Sequence, residues 1–587
     1  MTKSASATSY DLPLLSALLC VLVGWPFHGE WLILLALSPL FYWLMEPRRP
    51  AMPIFIGAGL VAIVYYLAIS WPLLSLSWWG WGSASGGESS LFLLRQQAFI
   101  AVLMVVLSFW GAVLWGVCGW LMCRYAPAPV RAFWVLPCLM VVVVEWFGHW
   151  VLWGMSWGQL GYHLHGVPII RQLASLAGVP GLSFFILFIN ATVAGLCRVW
   201  TSAAVTNALG RRRGRMTAHA ALVWAQPAVR LMVCAASLVV LASVAYGFAR
   251  NTSDDGKTRS LTVAVLQGNV ATSASDDGSP DRLGGTYGPM VDQAMAGKAD
   301  LIVLPETVWL RTLQLDDTPP RRDPGTPLVP REELGRIFAK RLAGTPAVVV
   351  LGIDTLSTGL IYNAMVFWSA DGLMGTYFKR ALVPFAEFRP RGLSWLAPQN
   401  QLHGSGFVYT PGRGAQLVTV HGVRVGSFIC QEVMFPDVAR HSVKDGAQIL
   451  VTTGNDGVFE DARVARTLAD MAILRAVEHE RFLVRGMKTG ISAIIDPQGR
   501  VLAEATANTS AILWHRIAPL ETRSPYSQWG DWLVWACGFL VVMNCAARRP
   551  DTTEPQKFHS PPPRPDPDEG RGGRRSSSAG RGITETI

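Results

Sequence analysis

The sequence predicts two architectures in one chain, a multi-span α-helical membrane bundle followed by a layered α/β domain. Three observations predict it. Apolar runs close to membrane-spanning length recur between Leu12 and Ala249. The basic residues of that stretch gather in every second loop. From Leu261 to Leu513 the pattern changes to short apolar strands alternating with amphipathic helices, the signature of a layered α/β domain. Composition agrees: with 51% hydrophobic against 15% charged residues in a chain of 587, there is room for a membrane part and for a soluble core.

Seven runs in the first half read as spans, at 12–25, 31–45, 52–71, 99–122, 132–152, 173–199 and 231–248, and an eighth lies at 532–546. The first two are short against the ~20 residues a helix needs to cross a bilayer. Arg48 and Arg49 lie between spans two and three, Arg124 and Arg131 between four and five, and Arg198, Arg211, Arg212, Arg213, Arg215 and Arg230 between six and seven. The alternate loops hold almost no Lys or Arg, which assigns the basic loops to the cytoplasm. With the N-terminus inside, an odd number of spans leaves the α/β segment outside, and the eighth returns the chain ahead of Arg548 and Arg549. The expected organisation is a bundle over 1–249, an extracytoplasmic domain over 250–528, a C-terminal transmembrane helix over 529–547 and a cytoplasmic tail over 548–587. That tail is rich in Pro, Arg, Ser and Gly without apolar periodicity, a disordered composition. Lys3 would suit a signal peptide, but no small-residue cleavage site follows before Trp31 and removal would invert the loop charges, so the first span reads as an anchor. The net charge of +10 is mostly inner-loop arginine and tail, which reads as topology rather than nucleic-acid binding. The loop WGMSWGQLGYHLHG at 153–166 is either an interfacial aromatic belt or part of a wall around a lipid headgroup.

In the α/β segment strands are expected at 261–269, 301–306, 347–354, 363–369 and 448–456, and helices at 287–296, 331–342 and 462–485. Reactive groups of such domains collect at strand ends. Glu306 closes the run LIVLPE, Lys379 closes GTYFK and Cys430 closes VGSFIC. Helix-compatible residues follow Cys430, placing it on a strand-to-helix turn that exposes the side chain and aims the next N–H groups at the same point. Cys20, Cys118, Cys123, Cys138, Cys197, Cys234, Cys537 and Cys545 all fall in the apolar runs, so Cys430 is alone in its segment and a disulfide framework is excluded there. An unpaired cysteine is by itself most often a small buried apolar residue. A carboxylate and an ammonium at neighbouring strand ends change that reading, because a thiol of pKa about 8.5 needs a base to take its proton and a cation to hold the thiolate. Glu306 suits the base, and Lys379 suits the cation for the thiolate and for a later oxyanion.

The segments PET at 305–307, YFKRALVPFAEFRP at 377–390, ICQE at 429–432, GND at 454–456 and RAVEHERFLVRGMKTGISAIIDPQG at 475–499 together resemble the carbon-nitrogen hydrolase (nitrilase) superfamily. With the flanking spans and WGMSWGQLGY, the chain over 12–546 resembles the apolipoprotein N-acyltransferase family. The resemblance implies an αββα sandwich with Glu306 as general base, Lys379 as oxyanion-stabilising cation and Cys430 as nucleophile, supported by Glu387 and by Glu432. It implies a bacterial inner-membrane enzyme whose catalytic domain lies on the periplasmic side. Such an enzyme moves an acyl chain from phospholipid, through a cysteine thioester, to the free amine of a diacylglyceryl-cysteine lipoprotein. No metal or diffusible cofactor is implied. The chain departs from the family where Gln431 replaces a usual Tyr after the nucleophile, where ATSASDDGSPD at 271–281 replaces a tryptophan-bearing loop, and where NDGVF at 455–459 replaces NDAWF. Lost aromatics bear on acyl-chain or acceptor contacts rather than on thioester chemistry. Two other readings share the fold: a membrane-tethered amidohydrolase in which water resolves the acyl-enzyme, and a non-catalytic member resembling plasmid conjugal-transfer proteins of the TraB type. A Cys-His hydrolase fits less well, because His403, His421, His441, His479 and His515 mostly lack strand-end positions and Lys379 would have no role.

Overall fold

A computed structural model describes residues 9–24, 30–46, 49–75, 90–125, 129–151, 156–201, 223–251, 260–270, 283–309, 311–321, 326–388, 390–391, 409–459 and 461–547. The tail at 548–587, the 271–281 segment, Arg48, Arg211 to Arg215, His403 and the first part of the 153–166 loop lie outside these residues.

Within the described residues each apolar run is helical. The helices Ala51–Ser70, Ser90–Tyr125, Leu173–Trp200 and Pro227–Asn251 follow four of the expected spans. The fifth combines Pro129–Met140, a π-helical turn Val141–Phe147 and Gly148–Val151. Pro137 removes one amide donor from the first of these segments. Among the described residues five helices are long and apolar enough to cross a membrane, while 11–23, 30–44 and 532–546 are shorter apolar helices. The second of the short ones is broken at Leu37 into Ile33–Ala36 and Ser38–Leu44.

Among the described residues the α/β part has fourteen strands in two sheets. The first holds β1 (Leu261–Gln267), β2 (Leu301–Val303), β3 (Thr312–Gln314), β4 (Leu328–Pro330), β5 (Val348–Ser357), β6 (Leu360–Ser369), β7 (Gly372–Phe378) and, later in the chain, β14 (Ala511–Ile517). Its order is β14-β1-β2-β5-β3-β4, with β6 on β5 and β7 on β6. The second runs β13-β12-β11-β10-β9-β8, comprising β8 (Val418–Val420), β9 (Val423–Ile429), β10 (Ile449–Gly454), β11 (Leu483–Met487), β12 (Ala493–Ile495) and β13 (Val501–Glu504). The central strands β1, β2, β5, β9, β10 and β11 are buried almost throughout, as parallel strands covered on both faces must be.

The sheets pack face to face through Val263, Val303, Val350 and Phe367 of the first and Val425, Ile429, Val451 and Val484 of the second. The helices Gly288–Ala296 and Arg331–Leu342 cover the outer face of the first sheet, and Pro436–Lys444 and Ala462–His479 cover that of the second. The result is an αββα sandwich, and its last helical layer continues into the apolar core of the membrane bundle. Against expectation, the long helix stops at His479 instead of running to 485. Asp461 caps its start by accepting from the Arg463 amide at 2.9 Å, and Glu480 ends it in the left-handed conformation at φ 53°. The charged run that looked helical then turns inward as β11, its arginines satisfied inside: the Arg481 Nε donates to the Ala447 carbonyl at 2.8 Å and that of Arg485 to the Ile491 carbonyl at 3.1 Å.

Candidate active site

The chain ends three strands of two sheets at one place. β2 stops at Val303, and the next residues hold on to β5 through Leu304 N to the Val350 carbonyl (2.8 Å) and Gly352 N to the Pro305 carbonyl (3.0 Å), which delivers Glu306 beside β5. A Cβ at Gly352 would meet the Glu306 Cα at 2.5 Å, so only glycine lets the backbones approach this closely. Lys379 directly follows β7 and is held by its N–H on the Asn363 carbonyl at 2.9 Å. Cys430 directly follows β9 in the left-handed region at φ 54°, an uncommon conformation for a residue with a Cβ, before the short 3₁₀ turn Cys430–Met434. Gly454 at the end of β10 leaves space for it, since a Cβ there would lie 3.2 Å from the Cys430 Cα.

The side chains form one buried network. Lys379 Nζ donates to Glu387 Oε1 at 2.8 Å and lies 3.7 Å from Glu306 Oε1. The Asn363 amide on β6 donates to both carboxylates, at 2.6 Å to Glu306 Oε1 and 3.0 Å to Glu387 Oε1. The other oxygen of Glu387 accepts from the Val383 amide at 2.8 Å, closing the loop after Lys379 on itself. Glu306, Lys379, Asn363 and Glu387 are all buried. Burial acts to strip the Lys379 proton, but the Glu387 and Glu306 carboxylates outweigh it and hold the ammonium well above the ordinary lysine range. Cys430, half-buried, lies within electrostatic reach of both Glu306 and Lys379. Burial and the Glu306 charge push its thiol up, while Lys379 and a hydrogen bond from the Asn455 amide pull it down; the net direction is upward. At rest this is a neutral thiol with a carboxylate and a permanent cation around it.

Glu432 does not join that cluster. It fixes the turn, with Oε2 accepting from the Ile429 amide (2.7 Å) and the Tyr377 hydroxyl (2.9 Å), and Oε1 accepting from the Arg380 (2.7 Å) and Ala381 (2.9 Å) amides. It thereby ties the end of β9 to the segment after Lys379. Gln431 adds to this tie by donating to the Ala381 carbonyl at 3.3 Å. Two contributors carry no sequence signal of their own. Asn363 is one, a polar residue inside an apolar strand that reads simply as strand. Arg485 is the other: it pairs with Asp456 at 2.8 Å and so pins the Asn455–Asp456 turn beside the cysteine, yet it lies in the run mistaken for helix.

The carbon-nitrogen hydrolase family profile matches residues 262–524, and that of the apolipoprotein N-acyltransferase N-terminal domain matches 16–192. The apolipoprotein N-acyltransferase of Haemophilus influenzae is 27% identical over 550 residues, 91% of this chain and 94% of that one. That of Pseudomonas syringae is 27% identical over 513 residues, covering 86% and 89%. Among solved structures, a CN-hydrolase superfamily protein of Xanthomonas campestris aligns at 18% identity with a TM-score of 0.33, over 44% of this chain and 91% of that one.

Proposed function

We propose that this chain, which belongs to the apolipoprotein N-acyltransferase family of the carbon-nitrogen hydrolases, transfers an acyl group through Cys430 to a lipoprotein amine in the bacterial inner membrane. The observation that carries the reading is the buried Glu306–Asn363–Glu387–Lys379 network beside a thiol on a left-handed turn. In the first half-reaction Glu306 takes the Cys430 proton as Sγ attacks the ester carbonyl of a phospholipid. Lys379 stabilises first the thiolate and then the oxyanion. The carbon–oxygen ester bond breaks, the proton on Glu306 passes to the leaving oxygen, and a lysophospholipid departs from the thioester. In the second, the neutral α-amine of a diacylglyceryl-cysteine attacks the thioester and gives its proton to Glu306. The carbon–sulfur bond breaks, the amide product leaves, and the proton returns to the thiolate. Glu387 does not exchange protons in this scheme; with Asn363 it holds Lys379 and Glu306 in register. The raised thiol supports a base that acts only with substrate in place, because a resting thiolate would be open to oxidation.

The test is the intact mass of the protein purified from its own membrane, before and after neutral hydroxylamine. An acyl-sized adduct that hydroxylamine removes, absent in Cys430→Ser, is expected. A Cys430 that stays unmodified after incubation with phospholipid overturns the reading, and an adduct discharged equally fast without any amine favours the hydrolase.

A further inference from the structure

The π-helical turn Val141–Phe147 brings Glu145 into the bundle, where it is 2% exposed. An ionisable residue inside a candidate span marks function unless a partner compensates it. Its partners here are neutral: the Leu160 amide at 3.2 Å and the Ser183 hydroxyl at 2.6 Å. Glu145 lines a cavity of about 50 Å³ together with Tyr66, Ser70, Trp110, His149, Trp157 and Gln159. Among the described residues no Lys or Arg lines it. Gln159 spends its Nε2 on the Glu145 carbonyl at 2.8 Å and keeps a buried Oε1 with no partner, and the Trp110 Nε1 is likewise buried and unpartnered. At the ~10–15 Å³ that one water-sized group occupies, the cavity holds roughly three to five such groups.

We propose that this cavity binds a primary ammonium group, with Glu145 as its counter-charge, Gln159 Oε1 as a second acceptor and Trp110, Trp157 and Tyr66 as aromatic walls. A carboxylate among aromatic rings suits a cation, and a primary ammonium can donate N–H bonds to both Glu145 and Gln159 Oε1, which a trimethylated nitrogen cannot. The Trp110 N–H then meets an oxygen carried near the ammonium. The cavity adjoins the catalytic half, because the His149 ring packs on Phe435, just past the Cys430–Met434 turn, at 6.4 Å. This rests on the acyltransfer reading for the identity of its two sources: an aminophospholipid headgroup or the lipoprotein's free α-amine.

The experiment uses full-length Cys430→Ala protein in detergent, so that binding is read without turnover and independently of thioester chemistry. Native mass spectrometry compares short-chain phosphatidylethanolamine with phosphatidylcholine and phosphatidylglycerol, and a diacylglyceryl-cysteine peptide with its N-acetylated form. The ammonium ligand is expected to bind at least tenfold more tightly than its quaternary or acetylated counterpart. Glu145→Gln should remove that preference and Gln159→Leu should reduce it severalfold. Loss confined to the lipid pair assigns the site to the headgroup, and loss confined to the peptide pair assigns it to the acceptor. Equal binding of amine and blocked ligands by the unsubstituted pocket, or a Glu145→Gln protein that melts normally and keeps the preference, overturns the proposal.

Discussion

Asn363 shows how one neutral side chain sets the chemistry of its charged neighbours. Its amide is shared between Glu306 and Glu387, and without it the two carboxylates would face one ammonium with no neutral donor between them. A hydrogen bond to a charged acceptor is worth about 1.5–3 kcal/mol. Asn363→Ala should therefore slow formation of the acyl-enzyme about 10- to 100-fold in single-turnover mass measurements, and should also lower the melting temperature, because two buried carboxylates lose their shared donor. Asn363→Asp should be worse than Ala, because it replaces the shared donor with a third carboxylate; an Asp variant as fast as the parent would sink this account. Glu306, Lys379 and Cys430 were legible in the sequence because each ends an apolar run, where a strand delivers a side chain to the sheet's edge, whereas Glu387 was expected only from the family resemblance. Asn363 was not, since an amide inside a strand is indistinguishable from one that merely pairs with water or backbone. Glu432 was legible as a neighbour of the site but not as the clamp of its turn, which depends on amides some fifty residues away in sequence.

The helix Ala462–His479 joins the two halves through Glu478. The helix Leu173–Trp200 breaks at Ala177 and Gly178, and the freed Val179 amide donates to Glu478 Oε1 at 3.0 Å, which also accepts from Arg475 at 3.0 Å. Gly178 takes φ 67°, and a Cβ there would meet the Tyr526 ring at 2.5 Å. Burial raises the Glu478 carboxyl from 4.5 to about 7, against the opposing pull of Arg475, and His479 beside it is held neutral by burial and the nearby arginines. A carboxyl raised on folding binds its proton more tightly in the folded state. Its stabilising effect is thus complete below pH 4.5 and is lost as pH rises through about 7. At 1.36 kcal/mol per unit the loss is about 3 kcal/mol. The melting temperature in detergent should fall between pH 5 and pH 8, and Glu478→Gln, fixed in the neutral form, should flatten that slope; an unchanged slope removes Glu478 as its origin. The sequence reading carried this helix six residues too far because Arg481 and Arg485 repeat at helical spacing. Only the left-handed Glu480 and the buried carbonyls that receive the arginines stop it, and neither is a local signal. The neighbouring strands β12 to β14 were missed for the same reason: two are three or four residues long and are specified by pairing, not by periodicity.

On the scale of the molecule, the site lies where the α/β domain meets the bundle. Phe385, in the loop that carries Glu387, packs edge-on against Phe99 of the long helix Ser90–Tyr125 at 5.5 Å, so that loop rests on a candidate span. Leu14, Val102, Phe109, Leu238, Leu241 and Phe539 leave their apolar side chains exposed around the bundle, a surface that suits lipid. The division into bundle and domain was legible from the change of period near residue 250, whereas the packing of one sheet on the other was not, because both sheets are apolar on both faces. The arginine pattern predicts that the domain is outside, and the helices sharpen what that depends on. Counted from Arg49, the described helices long and apolar enough to cross a membrane number five, which is odd. The two short N-terminal helices therefore add a hairpin or nothing, and neither alternative moves the domain. The C-terminal helix is different. Its 15 residues span about 22 Å against a hydrocarbon core of about 30 Å. A reporter active only outside the cytoplasm should be active when fused after residue 257. A reporter that matures only in the cytoplasm should be bright when fused after Ile587, if Trp532–Ala546 crosses with a locally thinned bilayer. An inactive first fusion would overturn the orientation read from the arginines. A dark second fusion with an active first would place the helix in the outer interface and the tail on the same side as the catalytic domain.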